Sequence, residues 1–256
     1  MNGLFGLTGV ELVAIAGVSA LAFLVRGLSG FGSSMVGIGG LSLLLPPARV
    51  VPAYLALELL TTAHLLPGVW RQVDWRSLRP LLVGAALATP LGMLLLTGVP
   101  ADAMRLGVSA VLLAVALAML SGLAQRLTPA HTPGTAGALG AGLASGLLNG
   151  AAGIGGPPVI VFYFATTAAA VSRASLIAYF LATDVWALAW AGGQGLLTRD
   201  AGPVVAVALP FALAGVAAGL RLYRRLDEAQ MRRLVWGLLA GLGTLGVANA
   251  AWRLGG

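Results

Sequence analysis

The chain has 256 residues, 59% of them hydrophobic and 9% charged, with a mean hydropathy of +0.95. Ordinary soluble domains carry about 25% charged residues, so this sequence cannot clothe a soluble surface; a soluble enzyme, a disordered tail and a secreted scaffold are excluded. Cysteine is absent, which removes disulfides, thiolate nucleophiles and cysteine metal sites. The formal net charge is +7 and every basic residue is an arginine. These arginines fall between apolar runs, with no basic face interleaved with aromatics, so they read as topology markers and not as a nucleic-acid surface. The implied class is an all-α, polytopic integral membrane protein, one membrane domain over 1–256 whose first partner is lipid.

A crossing helix needs about 20 apolar residues to span roughly 30 Å of hydrocarbon. The first apolar region, about 9–47, is too long for one crossing and is interrupted by glycines. No basic residue precedes it and Glu11 stands near its start, so it does not read as a secretory signal. Single runs follow at about 50–70, 78–97 and 103–123. A polar linker over 124–134 contains Pro129, His131 and Pro133. The region 134–169 is again too long for one crossing and again glycine-broken, and single runs close the chain at about 173–193, 203–221 and 232–252. The total is eight to ten transmembrane elements, depending on whether each glycine region crosses once or twice.

The arginines favour ten. If both glycine regions cross twice, Arg71, Arg76, Arg79, Arg126 and Arg173 share one side with the cluster from Arg221 to Arg233, while Arg49, Arg105, Arg199 and Arg253 take the other. If each crosses once, the split is nearly even, and the positive-inside rule prefers the lopsided arrangement, with both termini outside.

The two glycine regions resemble each other. Ser29–Gly40 and Ser145–Gly156 match at six of twelve positions with a constant offset of 116. Gly92, Met104 and Arg105 pair with Gly219, Met231 and Arg232 at an offset of 127. The sequence therefore reads as two internal repeats, about 9–123 and about 135–252, each with a glycine-broken helix pair. Duplicated halves with a site at their interface are a common build of secondary transporters.

Chemistry concentrates at these glycines. Gly37, Gly39, Gly40 and Gly153, Gly155, Gly156 stand where the chain is expected to break within the membrane, and such breaks are tolerated where they are buried or line a cavity. Exposed helix N-termini there favour anions, and Pro157–Pro158 suit the first turn of a restarting helix. The competing reading is close helix packing, which is the better one for Gly142, Gly146 and Gly150. Arg26 precedes the first cluster and offers a guanidinium to an anion, against a structural ion pair or snorkelling. Ser33, Ser34 and Asn149 flank the glycines as hydrogen-bond donors. Glu58 and Asp184 lie in equivalent mid-span positions shortly after Tyr54 and Tyr179, and read either as proton carriers or as neutral acids holding helices together. His64, near the end of its span, is a third proton-coupling candidate or an interfacial residue. Trp70, Trp75, Trp190 and Trp252 read as interfacial anchors; Trp186 lies deeper. Gly241-Leu-Gly-Thr-Leu-Gly246 fits a dinucleotide pattern but lies inside an apolar span without a preceding strand. No catalytic constellation, metal site or cofactor is implied.

The two Ser-Gly-x(6)-Gly-x-Gly-Gly motifs, the duplication and the Gln72-Val-Asp-Trp75 loop together resemble the TauE/SafE family of sulfite-exporter-like membrane proteins, over about residues 9–250. The second half departs from the first, with Thr198-Arg-Asp200 where the first has Val73-Asp-Trp75. The resemblance implies transport of sulfite, organosulfonates or related small anions across a bacterial inner membrane, export being usual. The expected function is thus a secondary transporter of a small sulfur-containing anion, working by alternating access, with proton coupling through the acids above. The alternatives are an anion channel and a non-transporting scaffold or assembly subunit. A homo-oligomer is compatible with either.

Overall fold

The computed structural model of the chain describes residues 6–121, 134–195, 201–223, 225 and 228–255. Among them, ten α-helices follow one another: α1 (Gly9–Ser29), α2 (Ser33–Leu41), α3 (Pro47–Val69), α4 (Trp75–Gly98), α5 (Ala101–Leu120), α6 (Thr135–Ala152), α7 (Gly156–Thr166), α8 (Ala169–Gly193), α9 (Ala201–Tyr223) and α10 (Glu228–Gly255). No strand occurs among the described residues. Most of the linker 124–134, with His131, and the Thr198-Arg-Asp200 loop lie outside them. Helices α1, α4, α8 and α9 are each long and apolar enough to cross a membrane. A fifth is counted if Pro47–Ala63 and Leu66–Gln72, bent by 53° where they join within α3, make one crossing. The bend falls beside Pro67, whose ring displaces the carbonyl one turn earlier.

Local chemistry sets the helix ends. Thr8 caps α1 in a reciprocal box: its hydroxyl accepts from Glu11 N at 3.3 Å while Glu11 Oε2 accepts from Thr8 N at 2.7 Å. Asp74 caps α4, its Oδ1 accepting from Arg76 N at 3.1 Å and Ser77 N at 3.4 Å. The same loop is tied to α7 and α8: Asp74 N–H donates to Ser175 Oγ at 3.0 Å, and Ser77 Oγ donates to Tyr163 Oη at 3.3 Å. The Asp-Trp loop thereby fixes where α4 starts relative to α7 and α8.

Both glycine regions are helix pairs, and the first turns the chain back on itself. A Cβ on Gly32 would touch Val25, and one on Gly40 would meet Val18, so α2 runs antiparallel along α1. The chain then turns again, and α3 runs parallel to α1: Tyr54 is hydrogen-bonded to Ser19 and Thr62 to Arg26. Two other parallel pairs pack most extensively, α1 with α9 and α4 with α6. Gly142, Gly146 and Gly150 of α6 press directly on the backbone of α4 at Leu81, Ala85 and Thr89, and Gly215 and Gly219 of α9 do the same to α1. Helix α10 runs antiparallel to α5, with Gly243 against Leu113 and Gly246 against Ser109. These directions suit a chain that reverses at every element. If each glycine region crossed once, α3 would oppose α1.

The GxGxxG pattern is part of this packing, since Gly243 and Gly246 sit against α5. Leu87, Leu91 and Leu94 on the outer side of α4 are exposed, as a lipid-facing surface is. Trp70 and Trp252 are exposed at helix ends. Trp186 is also exposed, with its indole N–H donating to Ala86 O at 3.1 Å.

A side chain at Gly146 must part α6 from α4. Gly146→Leu is expected to lower the thermal midpoint in detergent strongly, through overpacking of about 1–3 kcal/mol or more, whereas Gly140→Leu, with open space around it, should leave the midpoint within about 2 °C. Size-exclusion of heated samples measures both.

Candidate functional site

The break in the first pair stands at Gly30-Phe31-Gly32. Gly30 ends α1 with φ 82° and Gly32 opens α2 with φ 90°, both in the left-handed region that favours glycine. In the second pair Gly153 ends α6 with φ 64°, and Gly155 precedes α7. Pro157 and Pro158 fill the first turn of α7, where no helical N–H is needed.

This corrects the expected register. Gly37, Gly39 and Gly40 do not form the break. They lie within α2, where a Cβ would strike the Tyr54 ring, Leu112 and Val18 respectively, so they are closely packed. The backbone match joins Gly30 to Gly153, and the first helical residues Ser33 and Gly156. That is seven positions away from the letter match of the two glycine motifs. In this register Arg26 corresponds to Asn149.

The two breaks meet. A Cβ on Gly153 would run into Ile38, and one on Gly156 would lie 2.7 Å from Met35 Cε, both side chains of α2. Between them is a cavity with about 310 Å³ of empty space, counted out to its mouth. Arg26, Ser34, Glu58, Asn149 and Asp184 supply its polar lining, Gly32, Gly153, Gly155 and Gly156 its backbone, and Phe31, Met35, Ile154 and Phe180 its apolar walls. Ser33 is buried just behind it.

Arg26 and Glu58 form an ion pair in which both side chains are almost wholly buried. Arg26 Nη1 also donates to Ser33 Oγ at 3.0 Å, and Nη2 donates to Thr62 Oγ1. Glu58 Oε1 accepts from Ser33 Oγ and, at 2.8 Å, from Ser34 Oγ. Arg26 Nε is buried without a hydrogen-bond partner. On the other side of the cavity Asn149 Nδ2 donates to Asp184 Oδ1 at 3.4 Å, a long bond, and Ser145 Oγ donates to the Gly155 carbonyl. No side chain caps either α2 or α7, so the positive ends of two helices face this space.

Of the candidate residues, Arg26, Ser33, Ser34, Glu58, Asn149, Gly153, Gly155, Gly156 and Asp184 are thus brought to one place. Gly37, Gly39 and Gly40 stand apart in packing positions. The side chain of His64 lies outside the described residues. The structure adds Thr62, Gly30 and Gly32 to this set. An arginine in the last turn before a Gly-x-Gly is a helix-end signal, and Thr62 stands one helical turn beyond Glu58, on the same face.

A bundle of apolar helices around a buried, charged cavity built from two broken helices is the architecture of a membrane transport protein. Residues 15–245 match the family described as Sulfite exporter TauE/SafE. Over 235 residues the chain is 30% identical to the probable sulfite/organosulfonate exporter TauE of Cupriavidus necator, with 89% of this chain and 91% of that protein covered. No solved structure matches. The chain belongs to the TauE/SafE family: it is a multi-pass membrane protein of a family of transporters, not enzymes.

Removing one partner of a buried ion pair strands the other charge, at a cost of about 3–5 kcal/mol, whereas replacing both with apolar residues is often neutral. Glu58→Leu is therefore expected to unfold at a much lower temperature than the wild type, and Arg26→Met with Glu58→Leu to regain most of the loss. Thermal melts of the two variants in detergent make the comparison.

Proposed function

We propose that this protein exports a small sulfur oxyanion or organosulfonate, held between the two helix breaks and passed across by alternating access. The observation that carries the reading is the cavity itself: a guanidinium, two hydroxyl donors and two uncapped helix N-termini converge on one space. Anion recognition uses such groups. The printed name of the Cupriavidus relative supports the sulfur-anion class. The apolar walls of Phe31, Met35 and Phe180 suit a small organic group beside the oxyanion.

In this reading the chain is a duplication, about 9–123 and about 135–252, five elements to each half, in inverted orientation. Its support is the pairing of α1 with α9 and of α4 with α6, which correspond under exchange of the halves. Motion of one half against the other opens the cavity to each side in turn. The cavity holds one arginine and two acids, so with both acids ionised its charge repels an anion. Binding is then coupled to proton uptake at Glu58 or Asp184. A plain anion channel has no such requirement.

Purified protein in liposomes should show saturable flux of labelled sulfite or a sulfonate, driven by an imposed pH gradient. Arg26→Gln, which keeps hydrogen bonding and removes the charge, should cut flux at least tenfold. Folded protein with no flux across a panel of such anions overturns the reading. Non-saturable conductance replaces it with a channel.

A further inference from the structure

We infer that the Glu58 carboxylate is a resident anion, occupying the position a substrate anion must take, and that substrate binds by displacing it from Arg26 as Glu58 takes up a proton. This rests on the anion site proposed above and names how that site is coupled.

The geometry is that of a bound anion. The carboxylate sits on the Arg26 guanidinium and accepts from the hydroxyls of Ser33 and Ser34, at the uncapped N-terminus of α2. Those are the donors an oxyanion would use, and Glu58 reaches them from a different helix, α3. Among the described residues the second half shows no such occupant at α7: Asp184 is paired with Asn149, and Pro157 and Pro158 remove two N–H groups from that end. So the two acids differ in role. Asp184 faces the cavity from across it, whereas Glu58 fills the receiving groups.

An incoming anion and an ionised Glu58 cannot share one guanidinium. Each charge would lose its partner inside a low-dielectric space, and like charges repel there. If the Glu58 carboxylate leaves and binds a proton, the site keeps one arginine and gains one anion, and its charge is unchanged. The carboxylic acid can still donate to a serine hydroxyl or to the substrate. The charged groups that face Glu58 are Arg26 of α1 and Asp184 of α8, both on the cavity; Arg173 of α8 lies farther along, against Gly30 at the end of α1. Among the described residues, the polar side chains that α2 and α6 bring to this place are the neutral Ser33, Ser34 and Asn149.

The test uses methanesulfonate, an anion that keeps its single charge throughout the range studied, so that any pH dependence belongs to the protein. Binding to detergent-solubilised protein should tighten about tenfold for each unit the pH falls between 8 and 6, because one proton taken up per anion gives that slope by linkage. Direct measurement in weak buffer should show about one proton absorbed per anion bound. Glu58→Gln should bind at least tenfold more tightly than wild type at pH 8, with that proton uptake lost, while Asp184→Asn keeps it. Tight wild-type binding without proton uptake overturns the inference and leaves the anion site standing. Absence of methanesulfonate and sulfite binding at every pH removes the site itself. If Glu58→Gln does not fold, the wild-type proton count decides.

Discussion

The arrangement depends on one buried ion pair. Arg26 lies in the last turn of α1, where a helix C-terminus favours a cation, and Glu58 reaches it from α3. Neither can be buried alone without a large penalty. Keeping both satisfied requires that α1, α2 and α3 meet at one level, since Ser33, Ser34 and Thr62 complete the network. The chain can do this only by stopping α1 at once after Arg26 and restarting at Ser33. The two left-handed glycines at 30 and 32 make that stop possible. The break, the pair and the cavity are therefore one feature seen at three scales.

Close helix packing makes room for it. Glycines on α6 and α9 bring two parallel helix pairs into backbone contact and leave little space there for side chains. The bulky residues are displaced towards the centre, where Tyr54, Tyr163 and Tyr179 are wholly buried. Tyr54 is anchored by Ser19 at 2.7 Å and lies over Gly37. The cavity lies at the meeting of the two breaks, lined by polar groups on both sides.

The long apolar helices were legible in the sequence because lipid imposes both length and composition. The six single runs match α3, α4, α5, α8, α9 and α10 to within a few residues at most ends. The convergence of Arg26, Glu58, Asn149 and Asp184 was also legible, since charges inside apolar runs are costly and stand out. The register of the first break was not. Gly37-Ile-Gly-Gly40 spells the same letters as Gly153-Ile-Gly-Gly156, yet a glycine needed for a left-handed turn and one needed beneath a tyrosine ring are written alike. Only the surroundings separate them: Gly30 and Gly153 carry positive φ, whereas Gly37 is helical and packed. Thr62 carries no such signal, because a threonine in an apolar span usually bonds its own helix, as Thr61 does.

The central claim is that an anion is held between the α1–α2 and α6–α7 breaks. Selenite, the heavier counterpart of sulfite, allows a direct measurement: anomalous scattering from crystals of the protein grown with it. The account predicts a selenium peak in the cavity, within hydrogen-bonding reach of Arg26 and the first turns of α2 and α7, with the Glu58 side chain moved off the guanidinium. Selenium bound only elsewhere, with the Arg26–Glu58 pair intact, would contradict it.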